Sequence, residues 1–165
     1  IKPVWVELGL QTIHERTARY IRRGYDLPGF ETAVSELRRR GIDVIVHTIL
    51  CLPGETKPDM LQTIQYLNRQ DIQGIKLQLL HILKDTDLAE IYASDPFPVP
   101  DPQEYYELLG VCINHLRPDI VIHRLTGDGP KELLTAPLWT CNKRQVLNQL
   151  QSYFKTHDIW QGKEY

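Results

Sequence analysis

The stretch DVIVHTILCLPGET, residues 43–56, decides the fold of this chain. It opens with β-branched and aliphatic residues, which predict a buried strand over Asp43–Leu50. The Leu-Pro-Gly-Glu-Thr segment that follows is typical of a tight turn, because proline fixes φ and glycine permits a positive φ. A helical pattern over Pro58–Arg69 comes next. Strand, turn and helix in this order indicate one unit of an α/β fold with a parallel sheet.

The same unit recurs along the chain. The other strand-like runs are Val4–Leu10, Gly74–Leu80 and Asp119–Leu125. The other helical patterns are Phe30–Arg40, Pro102–His115 and Lys143–Thr156. The proline-rich interval Ser94–Pro102 predicts a loop, with Asp101 placed to cap the helix after it. Strands that alternate with helices at this spacing predict a partial (β/α) barrel of parallel strands.

Length and composition limit the architecture and the partners. A complete (β/α)₈ barrel needs about 250 residues. The 165 residues therefore predict one partial barrel domain, residues 1–165, with 131–165 as a C-terminal helical extension. Apolar residues make up 42% and charged residues 24%, and the net charge of −2 gives no general attraction to nucleic acid or anionic membranes. Because polar residues interrupt every apolar run and no signal peptide is recognisable, we expect a cytoplasmic protein without a membrane partner.

Cysteine usage argues against two classes of site. Cys51, Cys112 and Cys141 are an odd, widely spaced set, which does not suit a disulfide framework. No CxxC or CxxxCxxC pattern occurs, so the spacing of a local metal site is absent too. No metal ligand is predicted, and the catalytic residues stay unassigned.

Polar residues gather where the predicted strands end, which is where barrels of this class carry their sites. Glu7 lies inside the first strand and Gln11 at its exit, although Glu7 could equally be a solvent-facing charge on an edge strand. The turn after the second strand would bring backbone groups close to a ligand, although an ordinary βα loop has the same pattern. The polar candidates on the later strands are Lys76, Gln78, His81, His123, Arg124 and Asp128.

Several segments, in their order and spacing, resemble the radical S-adenosylmethionine (SAM) enzymes. VELGLQT (6–12) and HTILCLPGET (47–56) resemble the fourth and fifth strands of that barrel, and RGYD (23–26), KLQLLH (76–81) and DTDL (85–88) fit the same scheme. The resemblance is strongest to the branch of oxygen-independent coproporphyrinogen oxidase and the elongator catalytic subunit. Within it, the chain resembles a bacterial subfamily of unassigned substrate through HRLTGD (123–128), APLW (136–139), NK (142–143) and QG (161–162).

The resemblance implies the C-terminal half of a radical SAM barrel and a set of cofactor-binding residues. Gln11 and Glu7 correspond to positions that face the ribose and methionine groups of SAM. His47 stands where relatives often place an acid for the ribose hydroxyls. The residues implied to lie at the adenine are Leu50, Cys51, Gly54 and Glu55 of the turn, with Cys51 at a usual glycine position, and Leu80, His81 and Ile82. The candidates on the substrate side are His123, Arg124 and Asp128, which we expect at the same end of the sheet as Gln11, His47 and Glu55.

The family's chemistry also needs a part that this sequence lacks. A [4Fe–4S] cluster is held by three cysteines, usually as CxxxCxxC after the first strand of the barrel. This chain resembles the barrel from its fourth strand onward and has no such motif. We therefore expect a fragment of an iron–sulfur enzyme that cleaves SAM reductively to act on an unknown substrate, and we expect the fragment alone to be inactive.

Two other functions fit parts of the sequence. A metal-dependent hydrolase barrel would use the strand-end residues His47, His81 and His123 with Glu7 or Asp128. A binding module for tRNA would use Arg22, Arg23, Arg38, Arg39 and Arg40, although solvated helix faces also explain these arginines. Whatever the function, a barrel opened before its fourth strand would leave the edge of Val4–Leu10 unpaired, and we expect self-association there.

Overall fold

A computed structural model describes residue 2, residues 4–127 and residues 129–165 of the chain. Its strands are β1 (Trp5–Gln11), β2 (Asp43–Leu50), β3 (Gly74–Leu79), β4 (Ile82–Leu83), β5 (Val121–Arg124) and β6 (Leu134–Ala136). Its helices are α1 (Glu15–Tyr20), α2 (Leu27–Arg39), α3 (Lys57–Leu67), α4 (Asp87–Ser94), α5 (Pro102–Asn114) and α6 (Lys143–Thr156), with short 3₁₀ turns at Lys131–Leu133 and Leu138–Cys141.

The larger sheet is parallel throughout and has the strand order β1-β2-β3-β5. Helices α2, α3 and α5 lie between its consecutive strands along the chain. In the register, Gly9 lies opposite His47, and His47 lies opposite Lys76. The predicted α/β fold of parallel strands that alternate with helices is confirmed.

A second, antiparallel sheet joins the C-terminal segment to the end of β3. Ile82 of β4 pairs with Ala136 of β6, and Leu83 pairs with Leu134. The sequence did not predict this pair, because strands of two and three residues are too short to show a periodicity. In the predicted helical extension, the described chain thus has a strand and two 3₁₀ turns before α6.

Side-chain caps determine where the longer helices begin. The Asp26 carboxylate accepts a hydrogen bond from the Gly29 amide, so α2 begins at Leu27, three residues before the predicted start. Capping boxes start α3 and α5, and Asp101 caps α5 as predicted. Within the described residues, no helix is long and apolar enough to cross a membrane.

The two faces of the larger sheet differ in what covers them. One face packs on the helices and forms the core with residues such as Leu10, Val46, Leu50, Ile75, Leu77, Leu79, Phe30, Ile64, Leu67, Tyr105 and Leu109. The other face carries Glu7, His47 and Lys76, which lie on neighbouring strands and contact one another. The helices thus bury one side of the sheet, and the polar candidates lie on the other.

Candidate functional site

A hydrogen-bonded network joins polar side chains of β1, β2 and β3. The His47 Nε2 atom donates to Glu7 Oε2 at 2.8 Å, and Lys76 Nζ donates to Glu7 Oε1 at 2.6 Å. The Gln78 amide donates to His47 Nδ1 at 3.1 Å, which leaves the ring proton on Nε2. The strand register explains the network, since His47 and Lys76 are directly opposite each other.

The charges of this network are balanced by contact. Hydrogen bonds from Lys76 and His47 lower the pKa of Glu7 to about 2, against the partial burial that raises it. Glu7 is therefore ionised at neutral pH and neutralises the Lys76 ammonium, whose side chain is only 12% exposed. Although its own side chain is 40% exposed, Glu7 is a bound member of the sheet face and not a solvated edge charge.

A cavity of 710 Å³ lies where the strands of the sheet end. Gln11 at the exit of β1, Ile49 of β2, and Leu52 and Leu80 just beyond β2 and β3 line it from the sheet side. The remaining lining comes from α1, the turn after it and α4: Tyr20, Ile21, Arg22, Arg23, Tyr25, Thr86, Asp87, Leu88 and Ile91. Gln11 is thus the predicted site residue that lines this cavity.

The exit of β1 has an unusual backbone. Gln11 has a φ of +60°, in the left-handed region that few non-glycine residues adopt. Its side chain folds back over Gly9, where a Cβ atom would come 2.3 Å from Gln11 Nε2. The Tyr25 hydroxyl donates a hydrogen bond to the Gly9 carbonyl. Gly9 is therefore required for the close approach of the glutamine amide.

The turn after β2 separates this cavity from a second one of 410 Å³. Leu52 borders both cavities, whereas Cys51, Gly54 and Glu55 border the second, together with α3 and the proline-rich loop. Cys51 has a φ of +63°, so the position favours the glycine that the family usually has there. Its thiol is buried, which raises its pKa to about 12 and makes it a poor nucleophile. The fourth turn candidate, Leu50, is a core residue with 2% exposure.

Glu55 ties this turn to the loop after β1. Burial raises the pKa of its carboxyl, and the hydroxyls of Thr12 and Thr17 partly oppose that rise. Its Oε1 atom is buried and has no hydrogen-bond partner among the described residues. Glu55 therefore connects two strand exits and does not line the larger cavity.

The segment after β5 packs closely against His81. A Cβ atom at Gly127 would lie 2.5 Å from His81 Cε1, and one at Gly129 would lie 2.9 Å from His81 Nδ1. Both glycines therefore permit the backbone to contact the imidazole. The substrate-side candidate between them, Asp128, lies outside the described residues.

The other two substrate-side candidates lie on β5 itself. Strand β5 runs parallel to β3, so the expectation that its exit shares the end of the sheet with the other strand exits is confirmed. His123, however, packs against Gly74 at the start of β3, where a Cβ atom would come 2.7 Å from the ring. Arg124 is paired in register with Lys76. The side chains of the candidate set therefore occupy several levels of the sheet and do not form one cluster.

The hypothesis of a metal-dependent hydrolase finds no support in this arrangement. His47 is bound to Glu7, His81 packs on Gly127, and His123 packs on Gly74, so the histidines are separated. Over residues 2, 4–127 and 129–165, no group of three or more His, Cys, Asp or Glu side chains could hold a metal ion. The Lys76 ammonium already compensates the carboxylate that the hypothesis assigned to a metal.

The arginines considered for tRNA binding are each paired with a carboxylate. The pairs are Arg22 with Asp87, Arg23 with Glu15, Arg38 with Asp43 and Asp71, and Arg39 and Arg40 with Glu36. Sequence reasoning did not assign Arg23 and Tyr25 to the site at the exit of β1. The available signal was the RGYD segment, which placed them near the family's motifs without indicating their contacts.

Comparisons with known proteins give consistent matches over most of the chain. The Radical SAM superfamily model matches residues 1–67, and the model of the Radical_SAM C-terminal domain matches residues 72–156. The chain is 39% identical over 160 residues to YtqA of Bacillus subtilis, covering 97% of this chain. It is 33% identical over 156 residues to YhcC of Escherichia coli, covering 94% of this chain. The chain spans about half the length of each of these relatives (50% in both cases).

A solved structure has the same fold. The archaeal Elp3 of Methanocaldococcus infernus, with an N-terminal deletion, superposes with a TM-score of 0.82 at 16% identity. The match covers 96% of this chain and 37% of that protein. The arrangement of β1, β2, β3 and β5 with their helices is therefore one that a known protein shares.

Proposed function

Because this chain belongs to the radical SAM superfamily, we propose that it is part of a radical SAM iron–sulfur enzyme and forms one wall of its SAM site. When bound to a [4Fe–4S] cluster, SAM supplies a 5′-deoxyadenosyl radical that abstracts hydrogen from a substrate. The observation that carries the proposal is the 710 Å³ cavity at the strand exits, with Gln11 in its wall. Its volume is within the range of roughly 300–1,000 Å³ typical of small-molecule sites.

The residues of the cavity suit a nucleoside with a charged tail. Ile49, Leu52 and Leu80 provide apolar surface for an adenine ring. The Gln11 amide can both donate and accept hydrogen bonds with hydroxyl and amino-acid groups. The Arg22 guanidinium at the cavity is paired with Asp87. Glu7 and His47 bind each other below Gln11, so we propose that they form the floor of the site.

The described residues do not fit the cluster. Cys112 is fully buried in the core, and the Cys51 thiol lies in the second cavity. Cys141 lies in the 3₁₀ turn before α6, on another element again. We propose that the cluster ligands belong to a part of the enzyme outside these 165 residues, and that His123, Arg124 and Asp128 are on the substrate side of the same site.

Binding of SAM to the chain tests the proposal directly. We expect SAM to shift the amide resonances of residues near Gln11 in ¹⁵N NMR spectra, and Gln11→Ala to weaken the binding. Gln65→Ala is the matched control, because Gln65 is an exposed glutamine on α3. A wild-type chain that shows no shifts at millimolar SAM would contradict the proposal.

Radical activity should be absent from the chain alone. After anaerobic reconstitution with iron and sulfide, we expect no stoichiometric [4Fe–4S] cluster and no 5′-deoxyadenosine, because the cysteines cannot reach a common iron site. Iron quantitation and chromatography of the reaction measure both quantities. A full cluster with SAM cleavage would show that the assignment of the cluster ligands is wrong.

A further inference from the structure

Arg23 is a buried arginine whose donors are used within the protein. Only 1% of its side chain is exposed. Its Nε donates to the Tyr25 carbonyl at 2.8 Å, and its Nη2 donates to Glu15 Oε1 at 2.8 Å. Its Nη1 donates to the carbonyls of Leu10 at 3.2 Å and of Thr12 at 2.7 Å. The guanidinium is thus directed at the backbone of the β1 exit, and Glu15 compensates its charge.

The two carbonyls that Nη1 binds flank a strained turn. The Thr12 amide donates to the Leu10 carbonyl at 2.8 Å, which closes a γ-turn around Gln11. With φ at +60° in its centre, this is the rare and strained form of that turn. A strained conformation persists only when surrounding contacts hold it. Arg23 supplies such contacts on both sides of Gln11.

Tyr25 extends the same clamp to Gly9. The Arg23 guanidinium lies 5.3 Å from the centre of the Tyr25 ring, and the Tyr25 hydroxyl donates to the Gly9 carbonyl. The backbone of Gly9, Leu10 and Thr12 is therefore held from one side by a single buried unit.

We propose that Arg23 is a positioning residue, which holds the β1 exit in the conformation that presents Gln11 to the cavity. The inference rests on the proposed function, in which Gln11 binds SAM. Without the guanidinium, the turn relaxes toward extended backbone, and only a fraction of the molecules present Gln11 correctly. The apparent dissociation constant for SAM then rises by the inverse of that fraction.

Arg23→Lys tests this role while keeping the positive charge. An ammonium lacks the planar fork that bridges two carbonyls and a carboxylate. We expect faster amide hydrogen exchange in residues 9–13 and a dissociation constant for SAM about tenfold higher, both measured by ¹⁵N NMR.

Arg117→Lys is the matched control. Arg117 also binds backbone carbonyls, those of Asn68, Gln70 and Ile72, but these lie before β3, at the opposite end of the sheet from the cavity. We expect this variant to lose stability as Arg23→Lys does, measured by urea unfolding, while its exchange in residues 9–13 and its affinity for SAM stay those of the wild type.

The outcomes separate the possible roles. Unchanged exchange in Arg23→Lys would overturn the clamp, and faster exchange with wild-type affinity would overturn its role in positioning Gln11. Equal losses of affinity in both variants would reduce Arg23 to a structural residue and overturn the inference as well. If the wild type bound no SAM, the proposed function would fail, and the exchange data would still decide whether Arg23 holds the turn.

Discussion

At the scale of single residues, the candidate site depends on an absent side chain as much as on those present. Gly9 leaves the space that the Gln11 amide fills, and a Cβ atom there would come 2.3 Å from Nε2. The clash would be with the flexible end of a side chain and not with backbone. Function and stability should therefore separate at this position.

Gly9→Ala should displace the Gln11 amide with little effect on folding. We expect weaker SAM binding in an NMR titration and a change of less than about 1 kcal/mol in the free energy of unfolding. Gly41→Ala should behave in the opposite way, because Gly41 has a φ of +70° and no neighbour within 4 Å of a new Cβ. There the left-handed backbone costs about 1–2 kcal/mol, and SAM affinity is unaffected. Wild-type affinity in Gly9→Ala would contradict the placement of Gln11.

Glu7 should make stability depend on pH in the acid range. Its pKa is about 2 in the folded chain and near 4.5 when free, mainly because of hydrogen bonds from Lys76 and then His47. A lowered pKa means that Glu7 contributes stability above about pH 4.5, which is lost as the pH falls toward 2. Urea unfolding should therefore show a gap between the wild type and Glu7→Gln that is widest near neutrality and shrinks in acid. A gap that does not change with pH would show that the network does not hold the carboxylate.

At the scale of secondary-structure elements, capped helices cover the apolar face of the sheet. Helix α5 contributes seven buried residues, including Tyr105 and Leu109. The Asp101 carboxylate accepts a hydrogen bond from the Glu104 amide at 2.8 Å, and the Glu104 carboxylate accepts one from the Asp101 amide at 3.0 Å. This reciprocal pair sets the first turn of a helix on which much of the core depends.

Asp101→Ala should lower the free energy of unfolding by about 1 kcal/mol, the usual cost of a lost N-cap. Asp95→Ala is a suitable control, because Asp95 is an exposed aspartate at the end of α4 and not at the start of a helix. Urea denaturation of both variants at neutral pH measures the difference. Equal stabilities would mean that the α5 capping box contributes nothing.

At the scale of the whole molecule, the sheet has a long free edge. In the described part of the chain, β1 pairs with β2 alone. Val4 and Trp5 at its start are 63% and 56% exposed. Unpaired N–H and C=O groups beside apolar side chains promote pairing with another chain. Burial of a few hundred Å² there stabilises association by several kcal/mol, at roughly 25 cal/mol per Å² and before entropic costs.

We therefore propose that the chain associates with itself through this edge. Light scattering at micromolar concentration should give a mass above the 19.2 kDa of one chain. Trp5→Lys should return the mass to that of a monomer, whereas Trp160→Lys, at a tryptophan with 54% exposure near the C-terminus, should not. A monomeric wild type would rule out the edge as an interface.

The sequence by itself determined the strands, the main helices and the family. These follow from local signals: β-branched runs, the Leu-Pro-Gly-Glu-Thr turn, and caps such as Asp101 beside Pro102. Such signals act within a few residues, so they can be read without knowing what packs against them. They also placed Gln11 at a strand exit, because parallel strands end at one side of a sheet.

Only the tertiary structure decided which of the candidate side chains meet. Glu7 and Lys76 are 69 residues apart in sequence, and the Nζ–Oε1 contact between them depends on the register of three strands. The burial of Arg23 and the backbone conformation of Gln11 depend on how α1 and the turn after it return to β1. Hydrogen bonds between distant segments form only after the chain has folded, and no local pattern of residues specifies them.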